Sequence, residues 1–312
     1  MGLRILRAGP LCTVQGAGRW GYLRYGVTPA GPMDWISFAT ANAMIGNQPG
    51  AAVVEVGPAG MAFTVDGPQQ LAIVAPGFRV LRAGSAVPSG VVMMIQPGMR
   101  VDILPGPWGV WGYVAVPGGV AGEPVMGSMA THLRSGLGGA ALGLGDVVTA
   151  AGAGTEGADR CLIDAAVERD TPPIRCVPGP QDGMFEEGAL MAGSFTVSAR
   201  SDRMAYRLNG PPLRAAGGHD IVSDGTPLGA IQVPGDGQPF VLMADRQPTG
   251  GYPKIGTVIR ADLPRLAQMR AGQALRFQAV TVEAAVEALR AAMAGVASLP
   301  GRLREMRFLR DR

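Results

Sequence analysis

Short apolar runs separated by glycine and proline turns dominate the hydropathy pattern of the chain. The runs recur roughly every ten residues, with turns such as Pro76-Gly77, Pro97-Gly98 and Pro105-Gly106 between them. This spacing is typical of barrels and sandwiches, and not of a parallel sheet whose strands alternate with long helices. The pattern predicts a mainly β fold with strands at 3–8, 52–56, 61–65, 70–75, 90–95, 99–104, 111–116, 174–177, 194–198, 228–233, 240–244, 255–260 and 274–280.

Helical signals occur in three places. Asp34 is a good helix N-cap, which predicts a helix over 35–45 that ends just before Gly46. A short helix is predicted over 262–269. Near the C-terminus the apolar residues change to helical spacing and predict an amphipathic helix with the apolar face Val282, Val286, Leu289, Met293 and Val296. We expect this face to pack into the core, and contact with a partner protein is the alternative.

The domain organisation follows from a change in composition. Residues 151–173 are rich in Ala, Gly, Thr and Asp and contain paired prolines, which is typical of a linker. We therefore predict an N-terminal β-rich domain over 1–165, a second barrel-like domain over 174–280, and a C-terminal helix with an arginine-rich tail over 281–312.

Composition and charge exclude several classes of protein. The chain has 312 residues, of which 47% are hydrophobic, so it is not mostly disordered. Its net charge of +3 is also that of residues 301–312, so the remainder is neutral and lacks the basic face of a nucleic-acid-binding protein. No apolar run approaches the ~20 residues of a membrane span, and no signal-peptide core follows Met1. We expect a cytoplasmic protein with free thiols.

Familiar cofactor and nucleophile motifs are absent from the sequence. There is no P-loop, no GxGxxG after a predicted strand, no GxSxG elbow and no Met-Lys-Met for biotin attachment. His132 and His219 are far apart and have no cysteine at ligand spacing, so no metal site is predicted.

Lysine occurs once in this chain. All of the 27 basic residues except Lys254 are arginine. Lys254 follows Gly250-Gly251-Tyr252-Pro253, where the glycines permit close approach of a ligand and Tyr-Pro fixes the turn. Because an ammonium is compact and carries three rotatable donors, a retained lysine indicates a function that arginine does not serve. Chance retention on a surface loop is the alternative.

Polar residues directly follow the apolar strand predicted at 240–244. They are Asp245, Arg246 and Gln247, and strand ends are where barrels display binding groups. Arg246 suits a carboxylate or phosphate through two parallel hydrogen bonds. Lys254 suits an oxyanion that develops on an activated amide, and Asp245 suits the orientation or neutralisation of either cation. An Asp245–Arg246 ion pair of structural importance only is the alternative.

A second candidate anion site, Ser198–Met204, follows another predicted strand and has two arginines around Asp202. A solvated surface segment is the alternative there. We predict Lys254, Asp245 and Arg246 as catalytic residues, and as substrate-binding residues Arg203, Asp202, Gln247, Gly250, Gly251, Tyr252 and Gln232.

Six stretches resemble a known family: TVQGAGRWGYLRYGV (13–27), GPMDW (31–35), ANAMIGN (41–47), SDRMAYRLNG (201–210), SDGTPLGAIQVPGDGQP (223–239) and LMADRQPTGGYPKI (242–255). In these stretches the chain resembles the C-type subunit of bacterial 5-oxoprolinase, in the biotin-dependent carboxyltransferase family, also called the KipA-like or allophanate hydrolase subunit 2 family. The similarity extends through nearly the whole chain.

This resemblance implies two β-barrel-like domains, the second of them cyclophilin-like. It also implies two partner proteins, the KipI-like B-type and the A-type subunits of 5-oxoprolinase, and ATP-dependent opening of 5-oxo-L-proline to L-glutamate by the complex. Arg203, Arg246 and Lys254 would then stabilise negative charge that develops on oxygen.

Most departures from the family pattern lie in the first domain, and Gln247-Pro248-Thr249 departs slightly from the usual Gln-Thr-Thr. Three places where the family usually has arginine read VPGGV (116–120), GSMAT (127–131) and AAL (140–142). These losses favour a non-catalytic role as a regulatory partner of a KipI-like kinase inhibitor, whereas the intact segment 245–254 favours catalysis. A third function is a carboxyltransferase component that moves a carboxyl group from carboxybiotin on a partner to urea or another amide.

Overall fold

The computed structural model describes residues 2–154, 158–162 and 173–305. It divides into two compact units, each made from more than one stretch of chain: the first from Met1–Arg19, Asp34–Val167 and Ala294–Arg312, and the second from Trp20–Met33 and Glu168–Met293. Two segments, 20–33 and 294–312, therefore belong to a different unit from their chain neighbours. The predicted boundaries at 165 and 174 stay a prediction, because 163–172 lie outside the described residues.

Most of the regular structure is strand. In chain order the strands are β1 (Gly2–Ala8), β2 (Thr13–Gln15), β3 (Val53–Val56), β4 (Met61–Val65), β5 (Gln69–Val74), β6 (Arg79–Arg82), β7 (Ser85–Val87), β8 (Gly90–Ile95), β9 (Val101–Leu104), β10 (Gly112–Ala115), β11 (Val147–Thr149), β12 (Arg160–Leu162), β13 (Ile174–Pro178), β14 (Phe195–Val197), β15 (Ala205–Asn209), β16 (Asp224–Gly225), β17 (Ala230–Gln232), β18 (Phe240–Leu242), β19 (Thr249–Gly250), β20 (Lys254–Val258), β21 (Ala274–Leu275), β22 (Phe277–Ala279) and β23 (Leu303–Glu305).

The first unit contains two antiparallel sheets. Their strand orders are β11-β1-β4-β9-β6-β7 and β2-β3-β10-β5-β8-β12-β23. Strands β3, β5 and β10 are buried along their whole length, so that polar residues such as Glu55 and Gln69 are enclosed together with the apolar ones. The core of this unit includes Leu3, Ile5, Phe63, Ile73 and Val114, all fully buried.

The second unit is built on one eight-stranded sheet in the order β21-β14-β15-β18-β17-β20-β13-β22. Its two edge strands, β21 and β22, are separated in the chain only by Arg276, so the sheet curls until its edges almost meet. A nearly closed sheet leaves little unpaired edge. The predicted mainly β, barrel-like fold is confirmed. Strands β17, β18 and β20 lie at the centre of the sheet, and the candidate site is built on them.

Four α-helices are described: α1 (Trp35–Met44), α2 (Ala189–Ala192), α3 (Leu263–Ala267) and α4 (Val282–Ser298). Helix α1 confirms the predicted N-cap, because the Asp34 carboxylate accepts a hydrogen bond from the Ser37 amide at 2.9 Å. No described helix is long and apolar enough to cross a bilayer.

The predicted C-terminal helix is confirmed as α4, but the expectation that its apolar face packs into the core is wrong. Helix α4 buries no residue completely, and Val282, Val286 and Met293 are exposed. The half-buried side consists largely of alanines together with Leu289 and Val296, so only part of the apolar stripe faces the protein. Of the arginine-rich tail, residues 303–305 form β23, and 306–312 lie outside the described residues.

Candidate functional site

The candidate site lies where β17, β18 and β20 come together. Gln232 at the end of β17 is the Cα partner of Lys254 at the start of β20, and a register shift occurs between Ile231 and Gln232. The segment 243–253, which contains the two-residue strand β19, connects β18 to β20. Strand pairing therefore brings Gln232, Lys254 and this segment to one end of the sheet, although they are far apart in sequence.

Arg246 is a buried arginine that has no carboxylate partner among the described residues. Its side chain is nine-tenths or more enclosed, and its Nε donates to the Thr226 carbonyl at 2.9 Å. The two terminal nitrogens bind no atom of the described residues, and they are not fully enclosed, so a ligand can reach them. Burial lowers the pKa of Arg246 to about 10, which leaves the guanidinium charged at neutral pH. A cation with its terminal nitrogens unused is ready to bind a carboxylate or phosphate.

Lys254 supplies a second cation next to the same segment. Its side chain is only 3% exposed, and its Nζ lies 3.0 Å from Oδ2 of Asp224. The Lys254 amide donates to Gln181 Oε1 at 3.0 Å, which fixes the start of β20. The hydrogen bond from Lys254 lowers the pKa of Asp224, so this carboxylate is ionised at neutral pH. Together Arg246, Lys254 and Asp224 leave one net positive charge in the cluster.

Two side-chain amides complete the cluster. Gln247 Nε2 lies 3.5 Å from Gln232 Oε1, and Gln232 Nε2 lies 3.4 Å from the Tyr252 carbonyl, so both contacts are long. Gln247 Oε1 is buried and has no donor among the described residues. A side chain added at Gly250 would meet Gln232 Nε2 at 2.9 Å and Gln247 Nε2 at 3.4 Å. Glycine at this position therefore keeps open the space between the two amides.

Residues 250–252, which we call the glycine turn, also contact Ile221 and Phe240. A Cβ at Gly251 would lie 3.2 Å from the Ile221 carbonyl. The Tyr252 ring packs edge-on against Phe240 with their centroids 6.2 Å apart, and it remains partly exposed. The predicted residues Gly250, Gly251 and Tyr252 thus border the same cluster as Arg246 and Lys254.

Asp245 does not join this cluster. Its two carboxylate oxygens accept from Arg203 Nε at 2.9 Å and Arg203 Nη2 at 2.8 Å, and Arg203 also donates to the Gly31 carbonyl at 2.8 Å. Both side chains are almost fully buried. The structure therefore brings Asp245 to Arg203, and not to Arg246 or Lys254, so this carboxylate neutralises a different cation.

Asp202 has a local role. Its Oδ1 accepts from the amides of Met204 at 2.8 Å and Ala205 at 3.0 Å, which is an aspartate-stabilised turn at the start of β15. Because Arg203 points to Asp245, the segment 198–204 does not present two free arginines around Asp202.

Sequence reasoning missed several residues that contact the predicted ones, among them Asp224, Thr226, Thr28 and Gln181. Thr226 accepts from Arg246 through its carbonyl and donates through its hydroxyl to the Gln247 carbonyl. Thr28 donates to the Arg246 carbonyl from 218 positions away, a contact without a local sequence signal. Asp224 and Thr226 belong to the segment Ser223–Thr226, whose polar residues are a signal in the sequence.

The altered region of the first unit contains a buried cation of its own. Arg19 is fully buried, and it donates through Nε to the Val125 carbonyl at 3.1 Å and through Nη2 to the Ala130 carbonyl at 2.7 Å. Its Nη1 is buried without a partner among the described residues. Arg19 therefore fastens the loop that contains Met129, within the stretch GSMAT (127–131) that was singled out from the sequence. Across the part of the chain that the structure describes, no group of three or more His, Cys, Asp or Glu side chains is arranged to hold a metal ion.

Comparisons with known proteins agree with this architecture. The carboxyltransferase domain family, subdomains A and B, matches residues 25–279. The C-type subunit of 5-oxoprolinase from Escherichia coli strain K12 is 33% identical over 294 residues, which cover 92% of this chain and 94% of that protein. The urea amidolyase of Saccharomyces cerevisiae is 26% identical over 294 residues, which cover 85% of this chain but only 16% of that protein.

Solved structures show the same fold. The urea carboxylase of Kluyveromyces lactis superimposes with a TM-score of 0.87 at 23% identity, over 97% of this chain and 30% of that protein. The chain thus matches the bacterial relative over nearly its full length, and it spans less than a third of the larger urea enzyme. On the family match and the 33% identity, this chain belongs to the carboxyltransferase domain family, subdomains A and B, in which the C-type subunit of 5-oxoprolinase is a relative of similar length.

Proposed function

We propose that this chain is one component of an ATP-dependent 5-oxoprolinase, which acts in the cytoplasm with an A-type subunit and with the KipI-like B-type subunit to open 5-oxo-L-proline to L-glutamate. The similarity to a 5-oxoprolinase subunit over nearly the full length of both chains supports this proposal. The observation that carries it is the buried Arg246, whose terminal nitrogens have no partner among the described residues and which lies in one cluster with Lys254.

The chemistry of the substrate fits this cluster. 5-Oxoproline is a monoanion with a carboxylate, a ring N–H and a lactam carbonyl, and the cluster has one net positive charge. Arg246 binds the carboxylate through two parallel hydrogen bonds. Gln247 Oε1, which is buried without a donor among the described residues, accepts the ring N–H. Lys254 lies next to the lactam oxygen, where it stabilises the negative charge that develops during activation.

The reaction needs activation because an amide is a poor electrophile. The lactam oxygen takes the γ-phosphoryl group of ATP, so one O–P bond forms and the bond to ADP breaks. Water adds to the activated ring carbon, and the C–N bond breaks to give γ-glutamyl phosphate and a free amine. A second water releases glutamate and phosphate. In this chain Lys254 serves the oxygen that carries the developing charge, and Arg246 holds the substrate in place.

The test is ATP-dependent release of glutamate from 5-oxoproline by this chain co-purified with its A-type and B-type partners. In Lys254→Met we expect kcat to fall by roughly 100-fold, because one stabilising donor is lost. In Arg246→Lys we expect mainly a higher KM, because the two parallel bonds cannot form. Lys254→Arg keeps the charge but not the ammonium, so it separates the two requirements.

Arg200→Met is the matched control, since Arg200 is exposed and makes only a local backbone contact, with Ser198. This variant should retain full activity. If a folded, assembled wild-type complex releases no glutamate above the level without ATP, the proposal is wrong.

A carboxyltransferase function is the second candidate, because the matched family is described as a carboxyltransferase domain. In that reaction the carboxyl group leaves the ureido nitrogen of carboxybiotin on a partner and forms a bond to an amide nitrogen of the acceptor. The same cations would hold the carboxyl group and the acceptor oxygen. Transfer of labelled carboxylate to urea, dependent on a biotin-carrying partner and absent in Lys254→Met, would favour this function over lactam opening.

A further inference from the structure

The two partners of the Lys254 ion pair differ strongly in solvent exposure. The lysine side chain is 3% exposed, whereas the side chain of its partner Asp224 is 63% exposed. An ammonium that is enclosed to this extent loses most of its hydration and needs a compensating charge. Among the described residues, Asp224 is the one acid within ion-pair distance of Lys254 Nζ. A carboxylate at the protein surface thus compensates a cation that lies inside the site.

Asp224 is held in place by backbone pairing. The two-residue ladder of β16 and β19 pairs Asp224 with Gly250 and Gly225 with Thr249. At the ends of this ladder the Ile221 amide donates to the Gly251 carbonyl at 2.7 Å, and the Thr226 amide donates to the Pro248 carbonyl at 3.0 Å. We call residues 221–226 the edge segment. It is fastened to the glycine turn that borders the candidate site.

The edge segment contacts both cations of the site, but in different ways. Lys254 meets the charged carboxylate of Asp224 at 3.0 Å, whereas Arg246 meets only the neutral carbonyl of Thr226 at 2.9 Å. The terminal nitrogens of Arg246 therefore stay available for an anion, while the ammonium is held in one place. This difference assigns different tasks to the two cations, because a paired cation attracts a second anion less strongly than an unpaired one.

Other charged groups near Lys254 do not compete with Asp224. Strand β20 packs against β17, β13 and the 3₁₀ turn Asp182–Met184. The neighbour on β17 is the uncharged Gln232. On β13, Cys176 pairs with Val258 at the other end of β20, and Arg175 is bound to Asp262.

The neighbouring turn and loop also leave Asp224 without a competitor. The backbone amide of Asp182 donates to the Gly179 carbonyl, and the Asp182 carboxylate is not within ion-pair distance of Lys254 Nζ. From segment 243–253 the ionisable groups are Arg246, Tyr252 and Asp245, and the last is bound to Arg203.

We propose that Asp224 is a positioning residue that fixes the Lys254 ammonium at the site, so that the site offers one paired cation to the reacting oxygen and one unpaired cation, Arg246, to the substrate carboxylate. The part that concerns the reaction rests on the function proposed above, and the part that concerns Lys254 does not. The lowered pKa of Asp224, which has the Lys254 hydrogen bond as its first cause, is consistent with this coupling.

The single lysine of the chain makes a direct test possible. Incorporation of lysine labelled with ¹³C at Cε gives one side-chain signal, and this signal reports on Lys254 alone. In Asp224→Asn we expect this signal to move to a different chemical shift, because the ammonium loses the carboxylate that lies 3.0 Å from Nζ. Asp224→Glu should restore most of the wild-type position of the signal.

Asp220→Asn is the matched control. Asp220 precedes the edge segment, is highly exposed and lies 3.6 Å from His219, so its loss should leave the Lys254 signal unchanged. If Asp224→Asn also leaves the position of that signal unchanged, Asp224 does not hold Lys254 and the inference is wrong.

Activity of the assembled complex then separates the two proposals. A positioning role predicts that Asp224→Asn lowers kcat more than it raises KM, and that Asp224→Glu rescues the loss. A complex that is inactive even with the wild-type chain would refute the proposed function, whereas the labelled-lysine signal still decides the role of Asp224.

Discussion

The ion pair between Arg203 and Asp245 gives the sharpest test of the division between structural and functional residues. Asp245 lies directly before Arg246 in the sequence, yet its carboxylate is bound by Arg203 through two hydrogen bonds of 2.9 and 2.8 Å. Arg203→Met removes the cation and its bond to the Gly31 carbonyl, while it keeps a side chain of similar length. The variant therefore leaves a buried carboxylate and a carbonyl that both lose a donor.

The magnitude follows from burial. The Arg203 and Asp245 side chains are only 3% and 8% exposed, so water cannot replace the lost donors. Loss of one partner of a buried ion pair typically costs 3–5 kcal/mol, in order of magnitude. For a protein of this size 1 kcal/mol corresponds to roughly 2–4 °C in Tm. We expect Arg203→Met to lower the Tm of the second unit by on the order of 10 °C.

Thermal unfolding followed by near-ultraviolet circular dichroism measures this loss. Arg203→Met/Asp245→Leu should recover much of the stability, because it removes the buried unpaired charge, and Arg200→Met should be neutral. If Arg203→Met keeps its Tm within about 1 °C of wild type, water or another group compensates the pair and the reasoning from burial is wrong. Unchanged Tm with lost activity would return Asp245 to the catalytic role that its sequence position indicated.

Three further changes have expected outcomes. Gly250→Ala should keep the fold but weaken the binding of 5-oxoproline at least 10-fold, because the added carbon enters the space between two side-chain amides. In its control, Gly225→Ala, the added carbon has no neighbour within 4 Å, so this variant should bind 5-oxoproline like the wild type in the same binding titration. Asp34→Ala should destabilise the first unit by about 1–2 kcal/mol in urea denaturation, because the N-cap of α1 is lost, and a loss below 0.3 kcal/mol, an order-of-magnitude limit, would contradict this role. Burial raises the pKa of Cys176 to about 12 and also raises the pKa of Cys12, so both thiols stay protonated at pH 8. Neither thiol should react with a disulfide reagent until the chain is unfolded. A fast reaction of the native protein would contradict their enclosure.

Local sequence signals were sufficient for much of the secondary structure. The strand predicted at 61–65 is β4 and that at 90–95 is β8, both without error, because short, mostly apolar runs bounded by turn residues are typical of buried strands. Strands β6 and β7 were missed, since their residues, RVLR and SAV, are mostly half-buried or exposed and lack the apolar pattern. The segment 274–280 was predicted as one strand but forms β21 and β22, which lie on opposite edges of the sheet.

The family resemblance and the cluster of polar residues after β18 were visible in the sequence, as was the exceptional status of the one lysine. These signals are local, because they depend on which residue types follow one another. They indicated Arg246, Gln247, Gly250 and Lys254, which the structure brings to one end of the second sheet.

The sequence by itself determined the fold class, the helix cap at Asp34 and the stretch of chain in which the site lies, because each of these depends on neighbouring residues. Only the tertiary structure decided which charges meet. Asp245 lies next to Arg246 in the chain but binds Arg203, 42 positions away, and Lys254 binds Asp224, 30 positions away. The physical reason is that sheet pairing, and not sequence distance, sets which side chains share an enclosed space, and in such a space an ion pair forms with the partner that the geometry provides.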